Sequence, residues 1–205
     1  MAYKKHAGAI CILRNYSVLQ EQPLNLTICE ALVATLSTPP LFASTSIFKD
    51  SATFEFMGAD LMLRNPTQEI IAEAHNAFGA DSRVGCLLSI GSGRHGVFSA
   101  PEHPNPAEWN QFLERLLVDG QRKAQDLESR LGQLEPYHRF TVTSGLEGSA
   151  VMQPGEILTH TAAYLSDVAV SRKIDPCVVS LRGRGEGISL SQLSKYIRRW
   201  ILFVY

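Results

Sequence analysis

The stretch Val84-Gly-Cys-Leu-Leu-Ser-Ile90, closed by Gly91-Ser-Gly93, decides the fold class. An unbroken apolar run of this kind belongs to a strand covered on both faces, the usual condition of a parallel sheet in an α/β protein. Upstream, Asn65-Pro66 opens a helix with a cap residue and a proline at its first position, and Ile70, Ala74 and Phe78 form its expected buried stripe. Before that helix, Phe54-Glu-Phe-Met57 reads as a short strand. Strand, helix and strand therefore follow one another within a crossover length, which predicts parallel pairing. Ala9-Ile-Cys-Ile-Leu13 is a second continuous apolar run of the same type.

Working outward, Thr27 followed three residues later by Glu30 is a capping-box pattern, and Ile28, Leu32 and Leu36 then share one helical face. That helix is expected to stop near Pro39-Pro40. Asn105-Pro106 caps a long amphipathic segment reaching about Leu134, with Trp109, Phe112, Leu113, Leu116, Leu117, Leu127 and Leu131 near helical spacing. Tyr137 to Thr143 alternates like a strand. Gly155 to Asp167 and Ser171 to Leu181 read as helices, the second interrupted by Pro176. The expected fold class is α/β: a partial parallel sheet flanked by helices, with a mostly helical C-terminal extension. The expected organisation is a sheet-bearing region over residues 1–103, a helical extension over 104–182, and a flexible linker with an apolar end over 183–205.

Composition removes several function classes. Nineteen Lys and Arg stand against twenty Asp and Glu, a net charge of −1, so no field of one sign attracts nucleic acid or an anionic membrane. No window approaches the roughly 20 apolar residues that span a bilayer. Met1 to Lys5 is basic but is followed only by the short apolar run Ala7 to Leu13, which reads as a strand and not a signal peptide. Cys11, Cys29, Cys86 and Cys177 are scattered singly, as buried reduced thiols of a cytoplasmic protein would be. No two of the six histidines have the i, i+4 spacing that puts paired imidazoles on one helix face. His95 and His103 flank a proline-rich loop without accompanying cysteines or carboxylates, so neither a metal nor any cofactor is expected.

Three segments carry a resemblance. Thr27-Ile-Cys-Glu-Ala-Leu-Val-Ala-Thr-Leu-Ser-Thr-Pro-Pro-Leu-Phe42, Gly58-Ala-Asp-Leu-Met-Leu-Arg-Asn-Pro66 and Cys86-Leu-Leu-Ser-Ile-Gly-Ser-Gly93 resemble, in order and spacing, consecutive landmarks of the patatin-like phospholipase family. In that family a "SAAP.FF" helix precedes an Asp-Gly-Gly/Ala turn, an "NNP" helix start and a strand ending "SIGTG". Tyr137-His-Arg-Phe140, Gly145-Leu-Glu147, His160-Thr161, Ala163-Tyr-Leu165 and Ile174-Asp175 with Cys177 are similar to the helical tail of patatin-like domains in larger proteins. Coverage runs from about residue 8 to 182.

The resemblance implies a lipid acyl hydrolase with a Ser/Asp dyad, acting in lipid metabolism on glycerolipid esters without a metal or cofactor. Such chemistry needs a serine hydroxyl, a base to take its proton, and preorganised donors for the oxyanion. No Gly-x-Ser-x-Gly occurs in this sequence; the elbow and the glycine-rich oxyanion turn are expected upstream of Met1. The family aspartate falls on Gly58, and the nearest carboxylate is Asp60, two positions on. Two residues along an extended strand restore the same face, so Asp60 keeps a base role open in a completed domain; its other reading is a carboxylate bracketing the turn by bonding nearby backbone N–H groups.

The remaining constellations have bland readings. Gly91-Ser-Gly-Arg-His-Gly96 has the Gly-x-Gly-x-x-Gly spacing, but Val97 to Pro104 suits a loop and offers no helix N-terminus for a pyrophosphate. Ser144 and Ser149 lie near glycines without a strand-to-helix elbow and read as turn residues. Arg182-Gly-Arg-Gly-Glu-Gly187 reads as a solvated basic loop. The expectation is a patatin-like chain that is catalytically incomplete, with a lipid or membrane-surface ester as substrate if completed, or else a non-catalytic remnant acting as an interaction or regulatory module. An incomplete sheet leaves an edge that invites a homodimer or a partner chain, and so does the apolar segment Trp200 to Tyr205.

Overall fold

The computed structural model describes residues 2–4, 9–18, 22–38, 42–59, 63, 65–91, 93, 100–102, 105–118, 120–142 and 153–198. It has the mixed helix-and-sheet architecture of the α/β class. The chain divides into two compact units, one of Met1–Arg64 with Glu114–Val118 and one of Asn65–Leu113 with Asp119–Tyr205.

The first unit is built on a four-stranded sheet of β1 (Ala2–Lys4), β2 (Ala9–Cys11), β3 (Thr45–Lys49) and β4 (Ala52–Gly58), in the order β2-β1-β4-β3. Every pairing in it is antiparallel, which corrects the expectation of a parallel sheet here. The apolar run at Ala9 is an edge strand, and Ile10 is 39% exposed. Short apolar runs do not distinguish a doubly covered strand from a short edge strand. β3 and β4 form a hairpin whose two turn residues, Asp50 and Ser51, have φ of 49° and 63°, the sign a tight two-residue hairpin needs to match the strand twist.

One helix, α1 (Ile28–Leu36), packs on β4. Its capping box forms as the sequence predicts: the Thr27 hydroxyl accepts from the Glu30 N–H at 3.2 Å, and the Glu30 carboxylate accepts from the Thr27 N–H at 2.7 Å. The buried face, however, is the one centred on Ala34. Ile28, Leu32 and Leu36, the apolar residues the sequence places on one face, are exposed together with Val33. Small side chains allow the helix backbone close to the strand. Ala34, Ile47 and Phe56 form the core of this unit, with Cys11, Leu13, Leu24, Leu26 and Phe54 packed around them.

The second unit contains α2 (Thr67–Phe78), β5 (Arg83–Val84), β6 (Leu87–Gly91), α3 (Pro106–Val118, entered from this unit), α4 (Gly120–Leu131), β7 (Tyr137–Thr141), α5 (Pro154–Leu165), α6 (Val168–Leu181), β8 (Ile188–Ser189) and α7 (Leu190–Arg198). The expected Val84–Ile90 strand is two strands with separate partners: β5 pairs antiparallel with β8, and β6 pairs in parallel with β7. Among the described residues the parallel ladder is thus β6 with β7, not β6 with β4. The face of α2 is rotated from expectation, with Ile71 buried and Ala74 against the core while Ile70 and Phe78 are exposed. The long amphipathic segment is two helices, α3 and α4. At the head of α3, Asn105 Oδ1 accepts from the Glu108 N–H at 2.9 Å and Glu108 returns the bond to the Asn105 N–H at 3.0 Å.

The region read as a flexible linker supplies part of the core instead. Leu190, Leu193 and Ile197 recur at i, i+3 and i+7 on α7 and join Ile71, Leu127, Leu131 and Tyr137 in one buried cluster. α7 packs against α2 and α4. Only the loop before it, through Gly187, keeps the expected irregular form, and Arg83 ties it down by donating to the carbonyls of Glu186 and Gly187. The terminal apolar stretch from Trp200 lies outside the described residues.

Candidate functional site

Asp60, the one candidate base, lies outside the described residues. Gly58, at the position of the family aspartate, ends β4. Its N–H donates to the Ser37 carbonyl at 2.9 Å, docking the strand end on the C-terminus of α1. A Cβ added at Gly58 would lie 2.8 Å from the Thr35 carbonyl oxygen and nearer still to Thr38 Oγ1. The position therefore has no carboxylate and no room for one as the backbone stands.

Period two sorts the side chains of the parallel pair onto two faces. Ser89 is the register partner of Arg139, and Leu87 that of Tyr137; Leu87 and Tyr137 lie in the core, so this face looks inward. Here Arg139 Nη1 donates to Ser89 Oγ at 2.7 Å, Ser89 Oγ and Thr67 Oγ1 share a hydrogen bond of 3.2 Å, and Thr67 Oγ1 donates to Asn65 Oδ1 at 2.6 Å. Asn65 Oδ1 also accepts from the Thr67 N–H at 3.2 Å. This row ties the start of α2 to the sheet through buried Asn65, Thr67 and Ser89. It contains two hydroxyls but no carboxylate or imidazole, so nothing in it activates Ser89 as a nucleophile.

The opposite face holds the other cluster of chemical interest. Leu88 pairs with His138, and Cys86 stands one residue before β6. α6 packs against β7 from this side. On α6, Cys177 and Ser180 are three residues apart, hence on one helical face, and both are buried. Ser180 Oγ lies 3.1 Å from His138 Nε2. One ligand atom each from Cys86, His138 and Cys177 lies within 4.8 Å of the others. Burial, and then the neighbouring Cys177 thiol, push the Cys86 thiol above its ordinary range, and burial holds His138 below the usual imidazole range. Two cysteines that stand alone in sequence are therefore neighbours in space, and both are free thiols. The i, i+3 spacing of Cys177 and Ser180 on one helix was the sequence signal for part of this.

Among the other candidates, Ser144, Ser149, His95 and His103 lie outside the described residues, as do most of Gly91 to Gly96. His75 sits on α2 and His160 on α5, apart from both faces described above. No described helix is long and apolar enough to cross a membrane. No protein-family model, no curated protein and no solved structure matches the chain.

Proposed function

We propose that this chain is a patatin-like module of the lipid acyl hydrolase family that lacks ester chemistry of its own and acts by engaging another protein surface. The observation that carries the reading is position 58. Where the resemblance calls for the catalytic aspartate there is a glycine, and a Cβ built on it would lie 2.8 Å from the Thr35 carbonyl oxygen, so the position holds a helix contact and no carboxylate. The 205 residues also contain no Gly-x-Ser-x-Gly. The interaction role is supported by α1, whose Ile28 is 80% and Leu36 62% exposed, beside Leu32 and Val33; apolar side chains concentrated on one helix are characteristic of surfaces that are covered in use. A second copy of the chain is the simplest cover, and a lipid ester would be the substrate only of an assembly in which another chain supplies the serine.

The test is turnover of a short-chain p-nitrophenyl ester by the purified chain, with fluorophosphonate labelling in parallel, and light scattering to count chains. The expected result is neither turnover nor labelling, with self-association that Leu32→Glu weakens. Turnover by the chain alone that Asp60→Asn abolishes would sink the proposal, because it would require a working nucleophile and base within these residues.

A further inference from the structure

We propose that Cys86, His138 and Cys177 form a binding site for a zinc-class divalent cation, held by two thiolates and one imidazole, with water in the fourth position. The donor set is the argument. Two sulfurs and one nitrogen match the borderline-soft preference of zinc, and three protein ligands with one open position is a recurrent arrangement for that ion. The ligands come from three separate places: the residue leading into β6, the strand β7, and the helix α6. Their mutual separations of up to 4.8 Å are within about 1 Å of what a tetrahedral ion demands, since metal–sulfur bonds of about 2.3 Å put two sulfurs roughly 3.8 Å apart.

The surroundings fit the same reading. A metal-bound histidine is normally oriented through its other ring nitrogen, and Ser180, one turn along α6 from Cys177, bonds His138 at Nε2, a role that would leave Nδ1 to ligate. Cys86 is only half-buried and leaves a route in from solvent. Binding converts both thiols to thiolates and releases their two protons to solvent, so affinity rises with pH. A bound ion would cross-link the β6–β7 ladder to α6.

The experiment uses the full chain, reduced and stripped of metal under anaerobic conditions, titrated with Co2+ as a coloured substitute and then with Zn2+. The expected result is one equivalent of Co2+, a sulfur-to-cobalt charge-transfer band with the visible bands of a tetrahedral ion, and loss of both as Zn2+ displaces it. Cys86→Ser should weaken binding at least 100-fold and Ser180→Ala roughly tenfold, while Cys29→Ser, an exposed thiol on α1, should change nothing. A readout that needs no variant is alkylation: Zn2+ should slow N-ethylmaleimide modification of Cys86 at least tenfold and leave Cys29 unaffected. The proposal is overturned if Co2+ gives no thiolate band, if the band persists in a Cys86→Ser/Cys177→Ser chain, or if Zn2+ leaves Cys86 alkylation unchanged. It is equally overturned if the isolated chain carries a Cys86–Cys177 disulfide whose reduction restores no metal uptake.

Discussion

Gly58→Ala isolates the contact on which the reading of position 58 depends. The new methyl group would meet two atoms. One is Thr38 Oγ1, which a side-chain rotation can move; the other is the Thr35 carbonyl oxygen at 2.8 Å, which belongs to the backbone of α1 and cannot move without the helix. Overpacking of this kind costs about 1–3 kcal/mol, and the immovable backbone atom places this case toward the upper end. Replacing glycine also restricts the unfolded chain, which returns about 0.4–1 kcal/mol. The net expectation is a loss of about 2 kcal/mol, and for a chain of this length that lowers the midpoint of thermal unfolding by roughly 4–8 °C. Calorimetry resolves such a shift, and Thr38→Ala should relieve only the smaller share of it. Gly58→Asp should be destabilised further and still show no ester turnover. A Gly58→Ala chain as stable as the parent would refute the reasoning, since the strand end would then have space for the carboxylate that the resemblance calls for.

Further outcomes follow from the same structure. Thr27→Ala removes the hydroxyl that caps α1 and should cost about 1 kcal/mol, read as a small drop in melting temperature and in helical circular dichroism. The Glu30 carboxyl is held below its ordinary 4.5, first by the Thr27 backbone N–H, then by the Thr27 hydroxyl and by Lys49. A carboxylate with a depressed folded-state pKa contributes stability above its unfolded pKa and loses it as pH falls through the folded value. The advantage of the parent over Glu30→Gln should accordingly be constant above about pH 5 and shrink on acidification below 4.5; a gap independent of pH would contradict the capping role. Leu193→Ala empties a fully buried position of the second core and should cost about 2–5 kcal/mol in urea denaturation, far more than the same change at exposed Leu158.

Local signals in the sequence were legible because they depend on neighbours in the chain. The Thr27–Glu30 and Asn105–Glu108 boxes and the strand at Tyr137 all follow from contacts within a few residues, whereas α6 runs unbroken from Val168 to Leu181 with Pro176 inside it, correcting the expected interruption. What failed was the choice of face and partner. α1 is apolar on more than one side, so its pattern names residues that can be buried without saying which strand will meet them; Ala34 wins because its small side chain admits β4, and Ile28 and Leu32 are left outside. Likewise an apolar run says that Ala9 to Cys11 is extended but not that its neighbour is the antiparallel β1. The α7 helix was hidden by the glycines before it, although its Leu190, Leu193 and Ile197 carry the helical spacing once the start is moved to Leu190.

The same limit governs chemistry. A catalytic motif of the elbow type is local, so whether these 205 residues contain one can be read directly from them, and at Gly58 packing leaves no room for a side chain beside the Thr35 carbonyl. A site assembled from Cys86, His138 and Cys177 is not local: each ligand is unremarkable in its own segment, and only the parallel register of β6 with β7 and the packing of α6 onto that ladder bring the three together. The two faces of that ladder then divide the work physically. One face binds the start of α2 through Asn65, Thr67, Ser89 and Arg139, a row without a base. The other presents two thiols and an imidazole oriented by Ser180. A substitution such as Ser89→Ala should therefore loosen the fold without touching metal uptake, and Ser180→Ala should weaken metal uptake while leaving the inward row in place.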